Sequence, residues 1–283
     1  YSEADSQPLA GLRARSLDHA KRPTEAPDYW NSDQTCALYD RFFGARIAWK
    51  WDAALRMTVP KPHADDTAPG VILDFAAGTG IAARAYAARH GATQVLYCDR
   101  SARASKWAAR AFAAELPDIK VATLRIDECE RTSFDTLLVS HVIDELSDRN
   151  LSDPLVLARR ARRIFWVEPG SLRVSRQLGH VRAELLADFV AMAPCPHQAK
   201  CGALAPMTAG QGESWCHFFA DPPRAIFQDR EWTAFSQRLG IDLRAVPFSF
   251  LSMTSKSAVA PNPSGQGRVL GRPRSMKGAV RID

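Results

Sequence analysis

The sequence predicts an α/β fold: a parallel sheet with helices on both faces. Three observations carry that expectation. Short apolar runs recur at "GVILDF", "TQVLYCD", "KVATLRID", "FDTLLVSHV" and "RRIFWVEPG", punctuated by Gly, Pro or Asp. Helical segments separate several of them, and buried strands joined by helices of that length pair in parallel. The first run ends in a glycine turn that opens a helix, leaving unpaired backbone amides for a ligand.

In chain order, residues 1–28 are polar and proline-bearing and read as an extended arm. From Asp33 to Met57, the apolar residues Ala37, Leu38, Phe42, Ile47, Trp51 and Leu55 recur at helical spacing and mark a buried stripe. Pro60, Pro62 and Pro69 break it, so 1–69 is an N-terminal arm with a helical segment. The core follows over 70–191. There "IAARAYAARHG" is an alanine-rich helix stopped by Gly91. "SARASKWAARAFAAELPD" is a second helix, capped by Ser101, with Trp107, Ala108, Ala111 and Phe112 on one face. Residues 192–220 interrupt the rhythm as a Cys-rich insertion with neither helix nor strand period. Over 221–283, "REWTAFSQRLGI" reads as a helix, "AVPFSFLSMTS" as a strand and "GRVLGRPRSMKGAVRID" as a last strand, together completing the sheet.

The chain has 283 residues, 46% hydrophobic and 24% charged, the balance of a soluble globular protein. It contains no run near the ~18 apolar residues of a membrane span. It begins at Tyr1 rather than Met, which leaves room for a removed targeting peptide. A net charge of +6 favours a polyanionic partner such as RNA. Six cysteines in a chain this long do not make a disulfide scaffold. Cys36, Cys98 and Cys129 lie singly and read as small buried hydrophobes.

The glycine turn is the first candidate site. The strand delivers Asp74, and Ala76, Gly78 and Gly80 let a ligand approach the main chain. The second run ends at Asp99, 19 residues past Gly80, where an acid can accept from ribose hydroxyls. The third ends at Asp127, placed for an adenine edge, and the fourth at Ser140. This combination resembles class I S-adenosylmethionine-dependent methyltransferases. The resemblance implies a Rossmann-like fold and S-adenosylmethionine held by Asp74, Ala76, Gly78, Gly80, Asp99, Asp127 and Ser140. Catalytic residues stay unassigned. Ser140, His141, Asp144 and Glu145 suit proton transfer, and they equally suit a solvated helix start with Val142, Ile143 and Leu146 packed beneath.

The second candidate is "APCPHQAKC" followed by "WCHF". Cys195, Cys201 and Cys216 are soft ligands for zinc or an iron–sulfur centre, and His197 and His217 add nitrogen donors. The spacing matches neither a zinc ribbon nor a ferredoxin, and no C-x3-C-x2-C run of radical enzymes occurs.

"WVEPGS", "R-x-x-LL", "APCPH-x3-C", "WCHF" and "GRPR-x-x-KG" follow one another in order. Over Tyr29 to Asp283 the chain resembles the methyltransferase-like family of small-ribosomal-subunit assembly factors of mitochondria and bacteria. The resemblance implies a [4Fe–4S] cluster on Cys195, Cys201 and Cys216, with zinc the alternative. The fourth ligand would lie beyond Asp283 or be supplied by His197 or His217. It places the Cys-rich segment between the fifth strand and the next helix, beside the cofactor cleft. It implies small-subunit rRNA and ribosomal proteins as partners, with Arg272, Arg274 and Lys277 contacting RNA together with Arg268 and Arg281. It also implies a mitochondrial-matrix or bacterial-cytoplasmic location and a maturation role, the alternative being an active rRNA methyltransferase.

Overall fold

The computed structural model describes residues 9–11, 13, 30–58, 70–145, 152–195, 197–204, 215–258, 274–276 and 279–281. Two helices, α1 (Asp33–Tyr39) and α2 (Ala45–Met57), flank a π-helical turn at Asp40–Gly44. The Rossmann-like core follows as β1 (Val71–Phe75), α3 (Ile81–His90), β2 (Gln94–Cys98), α4 (Ala102–Glu115), β3 (Lys120–Leu124), the short α5 (Ile126–Cys129) and β4 (Thr136–Ser140). It continues with α6 (Ser152–Arg160), β5 (Arg163–Pro169), α7 (Leu172–Leu185), β6 (Phe189–Ala193), β7 (Phe218–Phe219), α8 (Arg230–Leu239) and β8 (Pro247–Ser255).

The sheet order is β3-β2-β1-β4-β5-β8-β6, with β7 pairing onto β8. Strands β1 to β5 are mutually parallel, and β8 runs antiparallel between β5 and β6. Period-two alternation splits each central strand between two cores. Leu73, Leu137, Val139, Ile164 and Trp166 pack with Leu155 and Ala158 of α6 and Val174, Leu178 and Val181 of α7. Ile72, Val95, Tyr97, Leu138 and Phe165 pack on the other face with α2, α3 and α4. The expected helices on both faces and the parallel run β1 to β5 are observed, but the sheet as a whole is mixed because β8 runs antiparallel to its neighbours.

Several local expectations need correction. The π-helical turn inserts extra chain into the 33–57 stripe and shifts its phase. Phe42, Ile47, Trp51 and Leu55 are buried, whereas Ala37 is exposed and Leu38 only half-buried. The arm is not wholly extended: residues 9–11 and 13 are helical, and Leu9 is buried against Phe42, Trp232 and Phe235. The Cys-rich segment follows not the fifth strand but α7 and β6, two elements that the apolar runs did not announce. Finally, the described residues of the last predicted strand are not part of the main sheet. Arg274–Met276 (β9) and Ala279–Arg281 (β10) pair with each other in a separate antiparallel hairpin, Arg274 opposite Arg281.

Among the described residues, strand β6 is an edge of the sheet. There the Gln198 side chain accepts from Ala191 N at 2.9 Å and donates to Ala191 O at 3.1 Å, as a paired strand residue would. Among the described residues no helix is long and apolar enough to cross a membrane.

Candidate functional site

The chain runs outward from β1 through β2 to β3, then returns to β4 and continues to β5 on the other side. The carboxyl ends of β1 and β4 therefore flank a switch point, the place where open α/β sheets bind ligands. The glycine turn occupies it. Ala76, Gly78 and Gly80 all adopt positive φ (53°, 52° and 78°). A Cβ on Gly80 would lie 2.7 Å from Ala108 and 2.9 Å from Tyr97, so this glycine also sets the approach of α3 to α4 and β2.

Two acids organise the turn. Asp74 is fully buried beneath it: Oδ2 accepts from Ala83 N at 3.0 Å and Oδ1 has no partner. Burial raises its pKa well above the usual carboxylate range. Its contact is with α3, so it braces the turn from below. Asp99 lies beside the turn and accepts from Gly78 N at 2.9 Å and Ser101 N at 2.8 Å. From Asp99 a cleft of ≈ 350 Å³ runs along β3 to Thr123, Ile126, Asp127 and Glu128. The structure thus brings Asp99 and Asp127 to one cleft. Asp127 is not at a strand end, however; it stands in the first turn of α5, 64% exposed and paired with Arg125.

Cys98 and Cys129 share one buried cluster, where Cys129 Sγ donates to Arg125 O at 3.4 Å, and their proximity raises the pKa of Cys98 and lowers that of Cys129. Both are buried, as is Cys36, in keeping with the expected packing role.

On the β4 side the sequence pointed to Ser140, His141, Asp144 and Glu145, and the structure divides them. Val142 and Ile143 are buried as expected, while Leu146 lies outside the described residues. Asp144 pairs with Arg173 of α7. His141, at φ 57°, turns inward: Nε2 lies 2.9 Å from Lys50 Nζ and Nδ1 lies 3.1 Å from Ser140 Oγ. Trp51 Nε1 donates to the same Ser140 Oγ at 2.9 Å. Next to this chain Glu168 is 0% exposed; its Oε1 accepts from Val142 N, Ile143 N and Trp166 Nε1, and its Oε2 has no partner. Burial lifts the Glu168 pKa to about 7, and burial together with the charge of Arg46 lowers that of Lys50 to about 7. Sequence reasoning missed Lys50, Trp51 and Glu168. The "WVEPGS" run did contain one signal, an acid inside a strand apolar on both faces.

The three clustered cysteines share a second cavity of ≈ 180 Å³, lined also by His197, Leu178, Gly179 and Phe250. All three are thiols. Two arginines of α7 hold the loop: Arg182 donates to Ala199 O and His197 O, and Arg176 donates to Ala203 O. His197 Nδ1 is buried without a partner, whereas His217 stacks on Trp215 and is not in the lining. Among the described residues, no three His, Cys, Asp or Glu side chains are grouped closely enough to hold one metal ion. The expected convergence therefore extends to a shared cavity and no further. Nor is that cavity beside the Asp99 cleft. Its sheet residues are on β8, four strand positions from β2, or roughly 19 Å at ~4.8 Å per strand. Of the expected RNA contacts, Arg268, Arg272 and Lys277 lie outside the described residues, and Arg274 and Arg281 are placed only as backbone in the hairpin.

A family model described as mitochondrial small ribosomal subunit Rsm22 matches residues 45–283. Similar solved structures include a candidate RNA methyltransferase from Pyrococcus horikoshii, with 12% identity and a TM-score of 0.42, covering 86% of this chain and 95% of that one. A candidate S-adenosylmethionine-dependent methyltransferase from Listeria monocytogenes shows 16% identity and a TM-score of 0.43, covering 75% and 99%. The Haloferax volcanii complex of the Trm112 methyltransferase activator with a candidate methyltransferase shows 12% and 0.42, covering 80% and 95%. No curated protein matches this chain.

Proposed function

Starting from the chain's membership of the Rsm22 family of the mitochondrial small ribosomal subunit, we propose that it is a small-subunit assembly factor that binds rRNA and S-adenosylmethionine. The observation that carries the ligand assignment is Asp99. Its carboxylate sits between the glycine turn, which occupies the switch point, and a cleft along β3 that reaches Asp127. Ribose hydroxyls would bond to Asp99, an adenine ring would lie against Leu124 and Ile126 with Asp127 at its edge, and the turn's open backbone would take the amino-acid end. Asp74 and Gly80 act through the shape of the turn. The compartment that fits is the mitochondrial matrix or, for a bacterial member, the cytoplasm.

The cysteine cavity suits a thiophilic centre in its chemistry. It offers three soft donors, a buried imidazole nitrogen without a partner, and two guanidinium groups that offset thiolate charge. Cys195, Cys201 and Cys216 would hold a [4Fe–4S] cluster, or zinc as the alternative, with the fourth ligand supplied by His197, which lines the cavity, or from beyond Asp283. Bound there, the centre would tie the loop to α7 and β8 and supply folding energy. Arg272, Arg274 and Lys277 remain the assigned RNA contacts, acting through phosphates.

The test combines gradient co-migration of the full chain with small ribosomal subunits and calorimetry with S-adenosylmethionine. Association and binding are expected, with binding lost in Asp99→Ala. Absence of co-migration would overturn the assembly role; equal affinity in Asp99→Ala would overturn the ligand site. A second reading, methyl transfer to rRNA, is favoured by one observation, the polar chain from Lys50 to Ser140.

A further inference from the structure

The hydrogen-bond inventory of that chain is restrictive. Trp51 Nε1 can only donate, so Ser140 Oγ must accept from it. Each ring nitrogen of His141 has one neighbour, Lys50 Nζ on one side and Ser140 Oγ on the other. When Lys50 is an ammonium, it donates to Nε2; the ring hydrogen is then on Nδ1 and points at Ser140, whose own hydrogen is free to face outward. When Lys50 is an amine, it accepts from Nε2–H; Nδ1 then takes the Ser140 hydrogen, and Ser140 Oγ keeps a lone pair for a proton from outside. One protonation event at Lys50 therefore lets the Lys50–His141 and His141–Ser140 bonds reverse together, while the Trp51 bond keeps its direction.

The surroundings allow that event near neutrality. Lys50 faces Arg46 from its own helix, Glu168 from β5 and His141 from the end of β4. Burial and Arg46 oppose its charge, and Glu168 favours it. His141 is kept neutral by burial and by Lys50. Lys50, Ser140 and His141 are all only half-buried, and Ser140 ends β4, the strand that flanks the switch point beside β1.

We propose that Lys50, His141 and Ser140 form a proton relay in which Ser140 Oγ deprotonates a nitrogen or oxygen acceptor bearing a labile proton and the charge comes to rest on Lys50. The proposal rests on the methyl-transfer reading given above. In the step, the acceptor's proton passes to Ser140 Oγ, Ser140's own proton to Nδ1, and the Nε2 proton to Lys50 Nζ, which becomes an ammonium. The electron pair of the broken acceptor–hydrogen bond forms the new bond to the methyl carbon, and the carbon–sulfur pair of the sulfonium donor returns to sulfur. Lys50 then releases its proton to solvent. Ser140 touches the acceptor, whereas His141 and Lys50 act through it as positioning residues.

The relay is tested in the ligand-free full chain by 15N spectroscopy of its histidines, with His141 assigned through His141→Gln. A switch from the Nδ1–H to the Nε2–H tautomer is expected between about pH 6 and about pH 9, and it should vanish in Lys50→Met. A tautomer that does not change with pH, or one that still switches in Lys50→Met, overturns the relay. Should Lys50→Met not fold, Lys50→Gln takes its place with the same outcomes. With S-adenosylmethionine and small-subunit RNA, Lys50→Met should lose on the order of 100-fold in methyl transfer at neutral pH. It should recover as pH rises and keep its S-adenosylmethionine affinity. An unchanged rate overturns the relay, whereas a wild-type chain that does not bind S-adenosylmethionine overturns the ligand reading and leaves the tautomer result standing.

Discussion

Replacing Glu168 by Gln should change how stability depends on pH. The side chain is fully enclosed, one oxygen accepts three hydrogen bonds and the other has none. Burial is the first cause of its raised pKa, opposed by the Trp166, Val142 and Ile143 donors and reinforced by Glu145. A carboxyl whose folded pKa exceeds its unfolded value holds its proton more tightly when folded. Its contribution is full below about pH 4.5 and is lost as pH rises through about 7. Moving a pKa from 4.5 to about 7 corresponds to about 3 kcal/mol at ~1.36 kcal/mol per pH unit. Glutamine keeps the accepting oxygen and cannot ionise. Its amide lacks a partner where Oε2 lacked one, which costs about 1–3 kcal/mol, but at every pH alike. Urea unfolding of both proteins between about pH 4 and about pH 8.5 gives a difference curve in which most other titrating groups cancel. Lys50 is the coupled cation, and repeating the pair in a Lys50→Met background removes it. The variant should gain about 3 kcal/mol on the wild type across this range. A flat difference curve would refute the assignment of an enclosed, ionisable carboxyl at this position.

Three more outcomes are expected. Gly80→Ala puts a Cβ within 2.7 Å of Ala108 at φ 78°, and should cost roughly 2–4 kcal/mol and abolish S-adenosylmethionine binding, read by thermal unfolding and calorimetry. Asp99→Asn, which leaves an amide beside the Gly78 and Ser101 donors, should weaken S-adenosylmethionine by roughly 10- to 100-fold with little change in melting temperature. Phe42→Ala removes a fully buried ring stacked 4.8 Å from Phe235 and should destabilise by about 3–5 kcal/mol in urea unfolding, loosening α8 from the N-terminal helices.

The parallel core was legible because β1, β2, β4 and β5 are continuous apolar runs, as strands buried on both faces must be. Strand β6 escaped for a local reason: "FVAMA" is short and runs directly into Pro194 and Cys195, so the cysteines dominated the reading. Nothing in "PFSFLSMTS" announces an antiparallel partner, because direction is settled by where the chain returns from. Ala76, Gly78, Gly80 and Asp99 were readable since the turn and the acid each require a residue type at a fixed distance. Lys50 was not. A lysine within an amphipathic helix ordinarily faces water, and its partner His141 is 91 residues away. The cysteines show the intermediate case. Their clustering predicted convergence on one metal centre, and the structure carries that as far as a shared cavity, because the loop geometry between them is a three-dimensional property that spacing does not carry.

The Gln198 amide on Ala191 bears on how this molecule behaves in a crowd. An exposed border of unpaired peptide groups invites a foreign extended segment to zip on, the usual first step of fibrous self-association. At Ala191 both peptide atoms that such an intruder needs are already taken by a side chain from the same molecule. A stranger must first evict that amide, so the border is guarded at its middle by seven residues' worth of local chain.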